Sequence, residues 1–322
     1  MQKTRKKIQR KRRKRRNYSL KLTSETSRNK RIINNKHAIN NGANVKCSPK
    51  PKHEINHFSC YTNDDLYHLR DLWNVRHSDL FIHSNEPKDI HALLSGYMKN
   101  VCSKETCWLK QHFANDSREK LKDSFAPEHP TKWLDNPNEW LDSNDINKVM
   151  KQYEKAYKCF DFMGPTPIDF DKRLYGNECV WSELCDFNIA DQIKKGKTKI
   201  GIIFNTDEHD EPGEHWISLF INLKKQQIFF FDSAGDKPPK EIAAFVKKIQ
   251  EQGAGLGMEF RYDQNHPVEH QYKNTECGVY SLFFIVHMLE DKITGDYLKT
   301  HILKDEYMQQ FRKVFFNEPN GN

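Results

Sequence analysis

The chain has 322 residues, 36% hydrophobic and 30% charged, with eight cysteines and a net charge of +8. Its longest apolar run, 279–289, contains Ser281 and His287 and is too short to span a bilayer, and no apolar stretch follows the basic N-terminus as a secretory signal would require. Eight scattered cysteines are too few for a disulfide scaffold, so reduced thiols are expected, in a body long enough to bury its own core.

The charge is unevenly placed. Residues 1–52 hold 19 Lys/Arg and a single acid, Glu25, a net of +18, which leaves the other 270 residues at −10. Like charges crowded at 6–16 repel and nothing apolar compensates, so 1–52 reads as a disordered basic tail suited to neutralising phosphates, with DNA binding or nuclear import as its use. The bland alternative is a solubilising tail.

A helical arm domain is expected over 53–130. Leu66, Leu69, Leu72 and Trp73 recur at helical spacing, with Asn63 and Asp64 as caps. A second helix is expected over 91–98, and Pro127 and Pro130 mark a linker. Residues 131–322 read as an α+β catalytic domain. A helix capped by Ser143 or Asn144 runs to about Tyr157, and Pro165 and Pro167 end regular structure there. Strands follow at 199–204, 215–223 and 227–231, the last two joined as a hairpin through Lys224, Lys225 and Gln226. An amphipathic helix at 241–252, a strand at 258–262, a helix buried on every side from 278 to 289 and one or two surface helices within 296–315 complete the domain. The predicted fold is a central, mainly antiparallel sheet of about five strands flanked by helices.

Three patches carry chemistry. Cys277, followed by Gly278, sits where the buried helix should begin, and the unpaired N–H groups at a helix N-terminus favour a thiolate. A nearby imidazole could take the thiol proton, and a carboxylate behind it would fix the ring. His215 opens one strand of the expected hairpin and Asp232 closes the other, so antiparallel pairing brings them to one edge of the sheet. Gln271, six residues before Cys277, could offer its amide to a developing oxyanion beside the Cys277 N–H. Each residue alone has an ordinary structural reading; their shared order and spacing point to nucleophilic catalysis.

The set His215-Trp216, Asp232-Ser233, Gln271 and Glu276-Cys277-Gly278 resembles the ubiquitin-like-protease superfamily of cysteine proteases, which includes SUMO and adenovirus proteases, with Glu276 where Asp is commoner. The resemblance implies Cys277 as nucleophile, His215 as base, Asp232 as orienting acid, Gln271 as oxyanion donor and Trp216 as a wall of the substrate channel. Stretches at 64–66, 101–109, 140–146, 153–155 and 162–170 look like the thiol proteases of giant and other large nucleocytoplasmic DNA viruses, mimivirus-like and related to the African swine fever virus protease. That likeness implies cleavage of viral precursor proteins after Gly-Gly during virion maturation. It also implies residence in the virion, with host cytoplasm, viral factory or nucleus as further compartments. Two alternatives stand beside it: a deubiquitinase or deSUMOylase acting on host ubiquitin-like modifiers, and a DNA-binding packaging protein with a vestigial site. The partner is a polypeptide, no membrane is involved, and thiol chemistry requires no cofactor.

Other signals are weaker. His266-Pro-Val-Glu269-His270 has zinc-peptidase spacing, but Pro267 opposes the helix that chemistry needs, and His270 is placed at the rim of the site instead. Cys102, Cys107 and His112, with Cys60 or His57, could begin a zinc site; two buried thiols beside Trp108 is the simpler reading, so no metal is expected. The acidic stretch 206–214 directly precedes His215; its plain reading is a solvated loop, and the sharper one is that it raises the His215 pKa or repels acidic substrates.

Overall fold

A computed structural model describes residues 45–319, so most of the basic tail read at 1–52 lies outside the described residues. In the arm, helix α1 (Asn63–Arg76) packs on α2 (Pro87–Met98), followed by the short helices α3 (Glu105–Trp108) and α4 (Arg118–Leu121). The α1 cap is Thr62, one residue before the expected caps. Its side chain accepts the Asp65 N–H while the Asp65 carboxylate accepts the Thr62 N–H. Helix α2 begins four residues earlier than expected, with Pro87 at its first position, where the missing N–H costs nothing. Leu66, Leu69, Trp73, Ile90, Leu94 and Trp108 form an apolar cluster belonging to the arm itself.

The expectation of reduced thiols is overturned. Among the described residues Cys47–Cys60, Cys102–Cys107 and Cys179–Cys185 are disulfides, with Cα–Cα separations of 5.0, 5.5 and 6.3 Å, while Cys159 and Cys277 are free. Bridging requires the fold to bring two Cα atoms to within about 7 Å, which the positions of cysteines along the chain do not reveal. The bridges also consume the thiols of the conjectured zinc site. Among the described residues no His, Cys, Asp or Glu group could hold a metal, and no helix is long and apolar enough to cross a membrane.

The core begins with α5 (Ser143–Ala156), capped by a reciprocal Asp142/Asp145 pair. Next come β1 (Phe160–Pro167), α6 (Ser182–Cys185), α7 (Ile189–Lys194), β2 (Lys199–Asn205), β3 (Trp216–Asn222) and β4 (Gln227–Phe231). Helix α8 (Lys240–Gly255), β5 (Arg261–Gln264), α9 (Cys277–Leu289), α10 (Gly295–Thr300) and α11 (Asp305–Phe315) complete it. The α+β architecture is as expected, but the sheet is mixed. Its order is β1-β2-β3-β4-β5; the central β2-β3-β4 meander is antiparallel, and β1 and β5 join its edges in parallel. Parallel neighbours need crossovers, supplied here by α6–α7 and by α8.

Both faces of the sheet are covered, so β3 is buried at every position. Alternation divides its side chains: Trp216 and Phe220, with Phe229 and Phe231 of β4, face α9, whereas Ile217, Leu219 and Ile221 face α8. Every residue of α9 except Met288 is buried, as a central helix requires.

Strand β1 is the element that the prolines concealed. It survives as an edge strand because the ladder to β2 shifts register between Met163 and Thr166, so Pro165 owes no hydrogen bond there. Gly164 makes the bulge feasible: its φ is +120°, and a Cβ would lie 2.8 Å from the Ile203 carbonyl oxygen. Gly164→Ala should therefore lower the unfolding free energy by about 2 kcal/mol in urea titrations. An unchanged midpoint would show that the bulge tolerates a side chain.

Candidate active site

The mixed topology gathers four polar residues at one edge of the sheet. Asn205 ends β2, His215 precedes β3, Asp232 follows β4 and Asn265 follows β5. Antiparallel β3 and β4 bring His215 to Asp232, whose Oδ1 lies 2.7 Å from His215 Nε2. Cys277, at the start of α9, lies near enough to the ring that its thiol, like Asp232, raises the His215 pKa. Burial alone would lower the His215 pKa, but the charge and hydrogen bond of Asp232, with the Cys277 thiol, outweigh it, and the net pKa stands well above the usual histidine value. The ring thus favours imidazolium between carboxylate and thiol. Its side chain keeps 22% of its surface exposed against 6% for Asp232, so the site opens on the histidine side.

Asp232 is fixed by its neighbours. Its Oδ1 also accepts the Ala234 N–H at 2.8 Å, while Asn265 accepts the Asp232 N–H at 2.9 Å and donates to the Asp232 carbonyl at 2.7 Å. Gln271 is buried beside this turn. The Ser233 hydroxyl donates to its Oε1 at 2.7 Å, and the Gln271 N–H donates to the Ser233 carbonyl at 2.8 Å. With Oε1 occupied, the amide NH2 is the end of the side chain left to offer a substrate. Cys277 is the first residue of α9, so its N–H is among those with no intrahelical acceptor. Trp216 is buried, its indole N–H donates to the Leu141 carbonyl at 3.0 Å, and it lies over Gly278, where a Cβ would meet the indole at 3.4 Å and Leu141 at 3.1 Å.

Residues 141–320 match the "Ulp1 protease family, C-terminal catalytic domain". The chain belongs to this family. It is a cysteine protease, a hydrolase. It is 29% identical over 264 residues to a protein of Acanthamoeba polyphaga mimivirus named as a thiol protease, covering 79% of this chain and 81% of that protein. It is 30% identical over 264 residues to a cysteine protease of African swine fever virus (isolate Tick/Malawi/Lil 20-1/1983), covering 76% of this chain and 93% of the viral protein. The crystal structure of the African swine fever virus protease shares its fold, with a TM-score of 0.57 at 20% identity over 85% of this chain and 98% of that one.

Within this Ulp1-family site, several positioning groups escaped the sequence reading. Asn265 is fully buried and reaches Asp232 only because β5 runs parallel to β4. The loop carrying Gln271 is pinned by Asp305 at the start of α11, whose Oδ2 accepts the Tyr272 and Lys273 N–H groups at 3.0 and 2.9 Å. Glu276, directly before the cysteine, is completely buried. Arg312 of α11 donates to its Oε2 at 2.8 Å, to the Thr275 carbonyl at 2.9 Å and to the Glu139 carbonyl at 2.7 Å, and stacks over Trp133 at 4.4 Å. A Glu before Cys-Gly hinted at a buried partner, but nothing local named Arg312.

Two further readings are corrected. His270 is not at the rim: it is fully buried, its Nδ1 accepts the Leu303 N–H at 3.1 Å, and its ring lies 5.4 Å from that of Phe231. His266, which shares the zinc-like spacing, lies in the loop after β5 with Nδ1 against the Gly235 carbonyl. The acidic stretch before His215 is folded on itself. Asn205 Oδ1 accepts the Asp207 and Glu214 N–H groups, and Asp207 accepts that of Gly213. The rise in the His215 pKa traces to Asp232 and Cys277.

Removing one member of a buried ion pair leaves the other uncompensated. Arg312→Met should cost about 3–5 kcal/mol in urea titrations, and adding Glu276→Gln should recover most of the loss. A single-variant cost below about 1 kcal/mol would remove the pair from the account of the site.

Burial lowers the His270 pKa to about 4. Unfolded, the ring takes a proton near pH 6.5, so between about 6.5 and 4 the unfolded chain binds more protons and stability falls as pH falls. The loss should approach about 3 kcal/mol by pH 4. His270→Asn should flatten that part of the stability–pH curve, whatever its absolute cost; an unaltered slope would assign the acid sensitivity elsewhere.

Proposed function

We propose that the chain is an endopeptidase in which Cys277 is the nucleophile, His215 its general base and acid, Asp232 the orienting carboxylate and Gln271 an oxyanion donor. The observation that supports this most directly is one imidazole hydrogen-bonded to a buried carboxylate and close enough to a thiol at the start of a helix for that thiol to raise its pKa. The Cys277 proton passes to His215, the sulfur attacks the peptide carbonyl carbon, and the carbonyl electron pair moves onto oxygen, towards the Gln271 amide and the Cys277 N–H. Collapse of the adduct expels the amine, which takes the proton from the His215 imidazolium and leaves a thioester. His215 then accepts a proton from water as water attacks, and the acid product departs while the thiol is restored.

The substrate class we infer is a polypeptide with Gly-Gly before the cut, drawn from viral precursor proteins. Trp216, held between the Leu141 carbonyl and Gly278 beside the nucleophile, suits a channel that only slim residues pass. On this reading the enzyme works in the virion or viral factory, and the basic residues of 1–52 hold it on nucleic acid there.

Cleavage of an internally quenched Gly-Gly-x peptide and of a ubiquitin-like fusion, compared at equal concentration, tests both levels. Cys277→Ala should abolish both reactions, and Gln271→Ala should cost about 100-fold or more in kcat. In the parent enzyme the alkaline limb of the pH–rate profile should lie above neutrality, because deprotonation of a His215 with a raised pKa ends activity. Asp232→Asn should move that limb towards acid. Full activity in Cys277→Ala would sink the assignment, and preference for the folded fusion would favour deconjugation over precursor cleavage.

A further inference from the structure

Away from the active site, the arm and the core enclose a cleft of about 680 Å3 lined by seven basic side chains against four acidic ones. One wall is α5, where Lys148, Lys151 and Lys155 recur at helical spacing and so share a face. The facing wall belongs to the arm and carries Lys104, Lys110 and Arg118. Apolar Val45, Leu109 and Phe125 also line the cleft. Lys151 and Lys155 are answered by Glu154 at 2.7 Å and Asp123 at 3.3 Å. Lys122, the remaining basic side chain, pairs with Glu119. Lys104, Lys110, Arg118 and Lys148 form no ion pair with a described residue.

Like charges held within a Debye length across a concave site raise its potential and cost stability until a counter-anion enters. The volume lies in the range of small-molecule sites and is too small to admit a nucleic-acid helix. Seven basic against four acidic side chains leave the lining with an excess of positive charge, and four of the cations, Lys104, Lys110, Arg118 and Lys148, stand outside ion-pair distance of any described carboxylate, so a small body with several negative charges fits; phosphate groups present that charge with oxygens that accept from both ammonium and guanidinium.

We propose that the arm–core cleft is a binding site for a compact oligophosphate, which ties the arm to α5. The site is separate from the protease chemistry and does not depend on it.

Calorimetric titration of the full chain with inorganic tripolyphosphate at physiological salt tests the proposal. The expected result is a saturable site of one anion per chain and a rise in thermal midpoint. Replacing Lys104, Lys110 and Lys148 together by Gln should weaken that site at least tenfold and abolish the rise. Lys148→Gln alone, an exposed change on a helix surface, should weaken it measurably and guards against misfolding of the triple variant. Replacing Arg12, Arg13 and Arg16 by Gln should leave the site intact. Equal affinity in the parent and the triple variant, or loss only in the Arg12/Arg13/Arg16 variant, would overturn the proposal. So would cleft-dependent binding of a single-stranded oligonucleotide by a protein that does not bind tripolyphosphate, since the ligand would then be a nucleic-acid backbone.

Discussion

A single imidazole shared between a carboxylate and a thiol sets the demands on the rest of this molecule. His215 must meet Asp232 through Nε2 while it stands beside Cys277, so three separate chain segments have to converge. Two segments are neighbouring strands whose antiparallel pairing makes their ends coincide. The third is the first turn of α9, which lies on the β3 face of the sheet. The apolar packing of α9 between the sheet and α11 therefore fixes the position of the sulfur as well as stabilising the core.

Around that imidazole the protein spends many buried polar groups on orientation. Asn265 ties the Asp232 turn at both its N–H and its carbonyl, Ser233 fixes the Gln271 amide, and Asp305 holds the loop between Gln271 and the helix. Glu276 and Arg312 form the base of this arrangement and join the residue before Cys277 to α11 and to the 138–139 turn. Buried groups of this kind are costly unless each is satisfied, and a satisfied network has few alternative geometries. That rigidity suits a site whose donors must already be in place when negative charge develops on the substrate oxygen.

The arm adds a second principle. It has its own apolar cluster and its own disulfides, yet it meets the core across opposed basic walls. An interface of that composition depends on its ionic surroundings in a way that the aromatic contacts of the core do not. The arm is thereby placed to respond to small anions, whereas the sheet and α9 are insulated from them by burial.

Local chemistry was legible in the sequence. The caps of α1 and α5 could be placed to within a residue or two, the hairpin of β3 and β4 followed from alternation and its polar turn, and the apolar run after Cys277 marked a buried helix. Because a hairpin joins residues close along the chain, the His215–Asp232 juxtaposition could be derived without coordinates. Parallel pairing could not, since it joins strands separated by whole helices; Asn265 and the edge strand β1, with Gly164 and Pro165 in its bulge, stayed hidden for that reason. Arg312, 36 positions from Glu276, and the cysteine pairs are likewise set by how the elements pack. The sequence alone determined which groups could do chemistry, because side-chain type and helical or strand periodicity are local properties. Only the tertiary structure decided which buried partners hold those groups still and where arm and core leave a charged cleft, because those contacts arise between segments whose separation along the chain says nothing about their distance in space.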